Sequence, residues 1–100
     1  MTESLRSKVG DDFEIRLEAN PTTGYVWEFS VQSEPAGGAI ALLNMRWDEV
    51  KSDIAGARVV QVFLFHSIAA GEVTLIFQYR RSWEKEKEAT QKRDYKVIID

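Results

Sequence analysis

Alternation of apolar and polar side chains is the feature that most limits what this chain can fold into. In residues 13–18 every second side chain is apolar and those between are charged, and a period of two recurs in residues 25–32 and 72–79. Successive side chains of a strand point to opposite faces of its sheet, so this period predicts strands with one face on a core. The predicted core-facing residues are Phe13, Ile15, Leu17, Tyr25, Trp27, Phe29, Val31, Val73, Leu75, Phe77 and Tyr79.

Other apolar segments extend the β pattern over most of the chain. Residues 59–65 are apolar on both faces, which is typical of a central strand, and residues 95–99 predict a last strand. Shorter candidate strands lie at residues 39–43 and 45–50. In residues 83–91 the alternation of Glu and Lys permits a short helix, but a polar hairpin loop between the last two strands is the simpler interpretation.

The number and length of these strands predict an all-β fold. Six or seven short strands with turns between them suggest an immunoglobulin-like β-sandwich of about seven short strands. A chain of 100 residues is expected to form one domain, residues 1–100, that buries a core without disulfides. The chain has no cysteine, so the Cys-Trp-Cys pattern of antibody domains is missing and the expected likeness is one of architecture.

The residue inventory argues against catalysis and metal binding. Nucleophilic catalysis needs a nucleophile beside a base, and the single histidine, His66, is expected to be a structural residue at a strand end. The acidic pairs Asp11-Asp12 and Asp48-Glu49 would point to opposite faces if extended. We therefore expect no catalytic residue, no metal site and no cofactor, and we do not expect an enzyme.

Charge and apolar runs limit the partners and the location. The net charge of −3 and the pI near 5.2 argue against a nucleic-acid partner and against an anionic membrane surface. No apolar run is long enough to span a bilayer, and the first residues lack the apolar run of a signal peptide. We expect a cytoplasmic protein or the mature form of a secreted one, and a monomer.

The segment between the first two alternating stretches is a conformationally restricted turn. Proline fixes its own φ and pushes the preceding residue into an extended conformation, the two threonines branch at Cβ, and glycine can take a φ that other residues avoid. Such a rigid loop suits a surface that meets its partner in one shape, although an ordinary Pro/Gly turn between strands is an equally open interpretation. The residues are Asn20, Pro21, Thr22, Thr23, Gly24 and Tyr25.

A tryptophan surrounded by charged residues is the second candidate for partner binding. Arg80-Arg81-Ser82-Trp83 comes directly after the predicted strand that ends at Tyr79. Tryptophan and arginine dominate binding hot spots, so Trp83 is a candidate exposed anchor. Alternatively, it folds back over the sandwich edge with its indole N–H on a carbonyl. Of the other tryptophans, Trp27 is expected in the core, and Trp47 either in the core or over an edge.

Together, these segments and their order resemble the chagasin-like inhibitors of cysteine peptidases. The resemblance covers essentially the whole chain and is carried by the first turn with Trp27 shortly after it, by a middle loop at residues 55–57 and by Arg81-Ser82-Trp83. It implies an immunoglobulin-like β-sandwich that inhibits papain-family cysteine proteases reversibly and tightly. In that family three adjacent loops fill the active-site cleft, and the inhibitor is not cleaved.

The resemblance also implies roles for individual residues. The first loop matches the family pattern in full, so Thr22 is expected nearest the catalytic cysteine of the protease, with Thr23 and Gly24 shaping the loop. The third loop matches in Arg81 and Trp83. The remaining implied contacts are those of Asn20, Pro21 and Tyr25 in the first loop and of Ala55, Gly56 and Ala57 in the middle loop.

Two departures from the family pattern are visible. Ser82 stands where the family has proline, and serine does not lock φ, so we expect a less stiff third loop. The middle loop, Ala55-Gly56-Ala57, has one glycine where the family pattern has two. The alternative function is a non-inhibitory immunoglobulin-like interaction module that uses the same loop end against another partner, since a fold alone fixes no function.

Overall fold

The computed structural model describes residues 2–20, 24–50, 58–81, 83 and 91–100. All regular structure in these ranges is β-strand. The seven strands are β1 (Thr2–Ser7), β2 (Asp12–Ala19), β3 (Tyr25–Ser33), β4 (Ile40–Val50), β5 (Arg58–Ser67), β6 (Gly71–Arg81) and β7 (Gln91–Ile99).

The strands form two sheets with the layout of an immunoglobulin-like β-sandwich. One sheet has the order β1-β7-β6-β3 and the other the order β2-β5-β4. Neighbouring strands are antiparallel except β1 and β7, which are parallel. The all-β prediction is confirmed, and β5, which contains the run 59–65, is the central strand of its sheet as predicted.

The core forms where the alternating faces of the two sheets meet. Ile15 on β2 pairs with Phe63 on β5, and both side chains are buried. Phe29 from the opposite sheet meets Phe63 and Phe65 edge-on, at centroid distances of 5.8 and 5.3 Å. Aromatic rings favour this edge-to-face arrangement, so the contacts add to the burial energy of the rings. The buried cluster consists of Ile15, Leu17, Trp27, Ala39, Phe63, Phe65, Val73, Leu75, Phe77, Tyr95, Val97 and Ile99.

The second face of β5 explains why that strand is apolar throughout. Val62 is fully buried although it points away from the core. On either side it pairs with Arg16 of β2 and Arg46 of β4. Arg16 bonds the Asp48 carboxylate at 3.1 Å. Because arginine stems can cover apolar surface while their charged ends stay in water, these long side chains account for the burial of Val62.

The observed strands differ from the predictions in four places. β1 was not predicted, because the segment has only one strongly apolar residue, Leu5, and its order comes from the parallel ladder with β7. The two short candidates at 39–43 and 45–50 form the single strand β4, with a register irregularity between Leu42 and Asn44. β6 continues to Arg81, and β7 begins at Gln91, so the sixth and seventh strands are longer than their apolar runs.

The exposed apolar residues correct one prediction and resolve another. Val31 was predicted to face the core but is 38% exposed, because the register of β3 with β6 shifts just after it at the sheet edge. Trp27 is buried as predicted, and Trp47 lies half-exposed on the edge strand β4. The sequence left residues 83–91 open between a short helix and a polar hairpin loop. Gln91 belongs to β7, and residues 84–90 lie outside the described residues.

Candidate functional site

The strand directions bring the flanks of the predicted binding loops to one end of the sandwich. Ala19, the last residue of β2, pairs with Val59 near the start of β5. Tyr25, the first residue of β3, pairs with Arg81, the last residue of β6. Residues 20–24 connect β2 directly to β3, so both sheets present these strand ends on the same side. We call this side the loop end.

The described part of the loop end contains five of the predicted site residues. They are Asn20, Gly24, Tyr25, Arg81 and Trp83. The other predicted site residues lie outside the described residues, and their roles stay predictions. These are Pro21, Thr22, Thr23, Ala55, Gly56, Ala57 and Ser82.

A stack of aromatic rings connects the loop end to the core. The Arg81 guanidinium lies 4.6 Å from the centroid of the Tyr25 ring, a cation–π contact. Tyr25 stacks on Tyr79 at 5.3 Å, and Tyr79 packs against Trp27 at 4.9 Å. Tyr25 and Arg81 are therefore fixed relative to each other and to the core.

The hydroxyl of Tyr79 contacts the beginning of the first loop. The backbone N–H of Asn20 donates a hydrogen bond to the Tyr79 hydroxyl oxygen at 2.8 Å. Sequence reasoning placed Tyr79 on the core face of its strand and gave it no part in the site. The available signal was the residue type, because a tyrosine at a core position needs a partner for its hydroxyl.

The ring of Trp83 lies against Gly24 at the end of the first loop. Gly24 has a φ of +82°, a conformation that favours glycine. A Cβ added at Gly24 would lie 3.1 Å from two atoms of the Trp83 ring and closer still to a third. Trp83 is nevertheless 69% exposed, so it covers part of the first loop and still presents most of its surface to solvent.

A buried glutamine fixes the backbone just inside the loop end. The backbone N–H of Trp27 donates to Gln61 Oε1 at 2.9 Å, and Gln61 Nε2 donates to the Trp27 carbonyl at 3.0 Å. The Trp27 indole N–H donates to the carbonyl of Glu18 at 2.8 Å. Gln61 of β5 thus pairs the backbone N–H and carbonyl of Trp27, which lies on β3, an edge strand of the opposite sheet. Sequence reasoning missed it, although a glutamine within an apolar run was the available signal.

A groove of about 580 Å³ opens beside this cluster. Its lining mixes both charge signs with aromatic rings, and the Arg93 guanidinium lies 6.0 Å from the Trp27 ring centroid. None of the described lining residues is a cysteine, serine or histidine, so these residues supply no nucleophile–base pair of the usual kind. The lining residues are Arg16, Glu18, Ala19, Asn20, Trp27, Tyr79, Gln91 and Arg93.

His66 lies at the opposite end of the sandwich. Its Nδ1 is 2.6 Å from the Asp12 carboxylate, its register partner across β2 and β5. Within the described ranges no three acidic, histidine or cysteine side chains are grouped so that they could hold a metal ion. The same part of the chain contains no helix long and apolar enough to cross a membrane.

Comparison with known proteins identifies the family. Residues 6–97 match the chagasin family of peptidase inhibitors, I42. The chain belongs to the chagasin family. Amoebiasin-2 from Entamoeba histolytica is 25% identical over 96 residues, which cover 96% of this chain and 76% of that protein.

Solved structures share the fold of this chagasin-family chain. The crystal structure of the cysteine protease inhibitor EhICP2 from Entamoeba histolytica matches with a TM-score of 0.82 and 25% identity, over 98% of this chain and 86% of that one. The solution structure of Amebosin matches with a TM-score of 0.59 and 24% identity, over 100% and 95% of the two chains. PbICP-C, solved in complex with falcipain-2, matches with a TM-score of 0.57 and 17% identity, over 100% and 90%. The last two likenesses concern the fold.

Proposed function

We propose that this chain is a reversible, tight-binding inhibitor of papain-family cysteine proteases that blocks the active-site cleft with three adjacent loops. The observation that carries the proposal is the loop end, where Asn20, Gly24 and Tyr25 of the first motif meet Arg81 and Trp83 of the third. Membership of a peptidase-inhibitor family supports the general activity. The likeness to EhICP2, a cysteine protease inhibitor, supports cysteine proteases as the target class.

The chemistry of the target explains the choice of residues in the first loop. A papain-like site is a groove that holds a cysteine thiolate paired with a histidine. A rigid loop that enters the groove without an extended scissile segment blocks it, because no peptide bond lies in the geometry for attack. Small threonine side chains fit where bulky ones would clash. Thr22 is therefore proposed nearest the catalytic cysteine, with Thr23 beside it.

The flanking contacts are proposed to come from the other two loops. Among these flanking residues, Trp83 is proposed to contribute most to binding, because an exposed indole can stack on the wall of the cleft and exclude water there. Arg81, held over the Tyr25 ring, adds a cation next to it. On the other side of the first loop, Ala55, Gly56 and Ala57 are proposed to bring their backbone close to the protease.

A papain activity assay tests the proposal. Increasing amounts of the chain should reduce peptide hydrolysis competitively, and dilution of the complex should restore activity. Thr22→Tyr should abolish inhibition by filling the space next to the thiolate. Thr2→Tyr is the matched control, since Thr2 is exposed on β1, and it should inhibit like the unmodified chain.

Two outcomes would contradict the proposal. Mass spectrometry after long incubation with excess papain should show an intact chain, and stoichiometric cleavage within residues 20–25 would indicate a substrate-like mechanism. If a folded chain leaves papain and other papain-family proteases fully active, the protein is an interaction module with a different partner.

A further inference from the structure

Both described ends of the first loop contact residues of a single neighbouring segment. Asn20 donates to the hydroxyl of Tyr79 on β6, and Gly24 lies under the ring of Trp83, just after β6. We infer that Tyr79 and Trp83 are positioning residues that hold the first loop in its binding shape. The first and third loops then bind a protease as one unit. The inference rests on the proposed function for its role in inhibition.

The Tyr79 contact fixes the point at which the chain leaves β2. The Tyr79 ring packs between Tyr25 and Trp27, so the position of its hydroxyl is set by the core. Asn20 precedes Pro21, which has no N–H. The Asn20 N–H is thus the last backbone donor before Pro21, and its hydrogen bond fixes the point at which the chain enters the first loop.

The Trp83 contact fixes the other end of the loop. Gly24 shares a positive φ with Gly10 and Gly37, but an added Cβ would have no atom within 4 Å at either of those two positions. At Gly24 the Cβ would overlap the Trp83 ring. Glycine is therefore required at position 24 for two separate reasons, its backbone conformation and the space taken by the ring.

The ring contact changes what Trp83 contributes to binding. The part of the indole that lies over Gly24 is not available to a partner, while the exposed part is. A tryptophan that contacts both Gly24 and a partner links the conformation of the first loop to that of the third. Substitutions at Gly24 and Trp83 should therefore be non-additive, as expected for residues in direct contact.

A double-mutant cycle with papain inhibition as the readout tests the coupling. Gly24→Ala should weaken inhibition by about tenfold or more, because alanine is strained at this φ and its methyl displaces the indole. In the Trp83→Ala background the same change should weaken inhibition by at most about a third of that factor, since only the backbone strain remains. Equal factors in both backgrounds would overturn the role of the ring contact.

Gly37→Ala is the matched control for backbone strain. Gly37 has a φ of +88° at a turn far from the loop end, so alanine there meets the same strain without a clash. It should lower the melting temperature and leave the inhibition constant unchanged. A matching loss of inhibition in Gly37→Ala would mean that general destabilisation, and not loop positioning, explains the Gly24 effect.

Tyr79→Phe tests the other end of the loop by removing only the hydroxyl. Inhibition should weaken by about three- to tenfold, the value of one hydrogen bond, mainly through faster dissociation. Tyr95→Phe is the control, because Tyr95 is a buried tyrosine on β7 whose hydroxyl interacts with Arg93 and Glu3. If Tyr79→Phe inhibits as the unmodified chain does, Tyr79 is not a positioning residue.

A measurement without protease separates this inference from the proposed function. Amide hydrogen exchange at Asn20 should be about tenfold faster in Tyr79→Phe than in the unmodified chain, and unchanged in Tyr95→Phe. Unchanged exchange in Tyr79→Phe would overturn the anchoring of Asn20 even if papain is inhibited. Faster exchange without any inhibition of papain would leave the anchoring intact and refute the proposed function.

Discussion

The described residues at the two ends of the sandwich differ in the contacts they make. At the end opposite the loop end, which we call the closed end, described backbone groups bond one another, in addition to side-chain contacts such as that of His66 with Asp12. Gly10 N–H donates to the Ser67 carbonyl at 2.8 Å, and Ser67 N–H donates to the Asp11 carbonyl at 2.9 Å. Ile68 N–H donates to the Ala39 carbonyl at 2.8 Å.

At the loop end, the described contacts of the first loop are made with side chains. The first loop begins at a tyrosine hydroxyl and ends under the Trp83 ring, and Arg81 packs on Tyr25. Backbone hydrogen bonds are open to almost any residue that can adopt the required φ and ψ, whereas side-chain contacts need one residue type. We therefore expect substitutions at the closed end to change stability alone, and surface substitutions at the loop end to act mainly on inhibition.

Gln61→Ala should have the largest effect, because it removes both hydrogen bonds to the Trp27 backbone inside the core. Leaving a buried N–H and a buried carbonyl unpaired is expected to lower the free energy of unfolding by about 2 to 4 kcal/mol. Urea denaturation measures it, with the exposed Gln32→Ala as control. A loss below about 1 kcal/mol would mean that water replaces the carboxamide.

Trp83→Ala should have the next largest effect, and on inhibition instead of stability. Loss of an exposed aromatic anchor is expected to weaken inhibition by about 2 kcal/mol, or about thirtyfold. Ile68→Ala, an exposed apolar residue of the closed end, should leave inhibition unchanged. If Trp83→Ala lowers the melting temperature by many degrees while the inhibition constant holds, Trp83 contributes to stability and not to binding, and the contrast between the ends fails.

At the closed end, Gly71→Ala should change stability and leave inhibition unchanged. A Cβ at Gly71 would lie 3.5 and 3.6 Å from two atoms of Pro35 and closer to a third, at a φ of +144°. We expect a loss of about 1 to 2 kcal/mol in the free energy of unfolding from overpacking and strain. Inhibition of papain should be unchanged once the protein is folded. A change in the inhibition constant would show that the two ends are coupled through the sheets.

Ser82→Pro is expected to strengthen inhibition, whereas Trp83→Ala at the same end weakens it. Proline is expected to stiffen the third loop and to stabilise the protein by about 0.4–1 kcal/mol through the unfolded chain. Inhibition should tighten a few-fold, because less order is lost on binding, with slower dissociation from papain as the measurement. A destabilised or faster-dissociating variant would mean that the backbone at Ser82 is incompatible with proline, and the match of the third loop to the family pattern would be withdrawn.

The smallest effect concerns a charged network between β2 and β4. Partial desolvation raises the pKa of Asp48, but hydrogen bonds from Arg46 and Arg16 outweigh it and hold the pKa below its ordinary value of 3.8. A carboxylate with a lowered pKa in the folded protein stabilises it fully above the ordinary value, and this contribution is lost as pH falls through the lowered folded-state pKa. Melting temperatures between about pH 2 and 5 should therefore fall less steeply for Asp48→Asn, and an identical profile would refute the assignment.

Much of the fold could be predicted because each signal was local. The period of two placed Ile15, Trp27 and Phe77 in the core, where they are buried. Val31 was misplaced because the shift in register after it depends on the partner strand β6. β1 was missed because its order comes from pairing with a strand at the other end of the chain, and its own sequence has no apolar alternation.

The candidate site could be predicted only where a motif is contiguous. The turn that contains Gly24 and the segment that contains Trp83 stood out by residue type, but their contact did not. Tyr79 and Gln61 were missed because their partners, Asn20 and Trp27, are 59 and 34 residues away in the chain. Nothing in the residues next to them indicates which backbone group each side chain reaches.

The sequence by itself determined most of the β-strands and their core-facing sides, because these depend on the period of the side chains. It also predicted a stiff turn from the restricted backbone of proline and glycine. Only the tertiary structure decided which strands pair, and that Asn20 and Gly24, on either side of the first loop, contact Tyr79 and Trp83. The physical reason is the distance along the chain over which each effect acts. Periodicity and φ preferences act between neighbours in the chain, whereas the contacts of the loop end exist only once two sheets have packed and brought distant residues together.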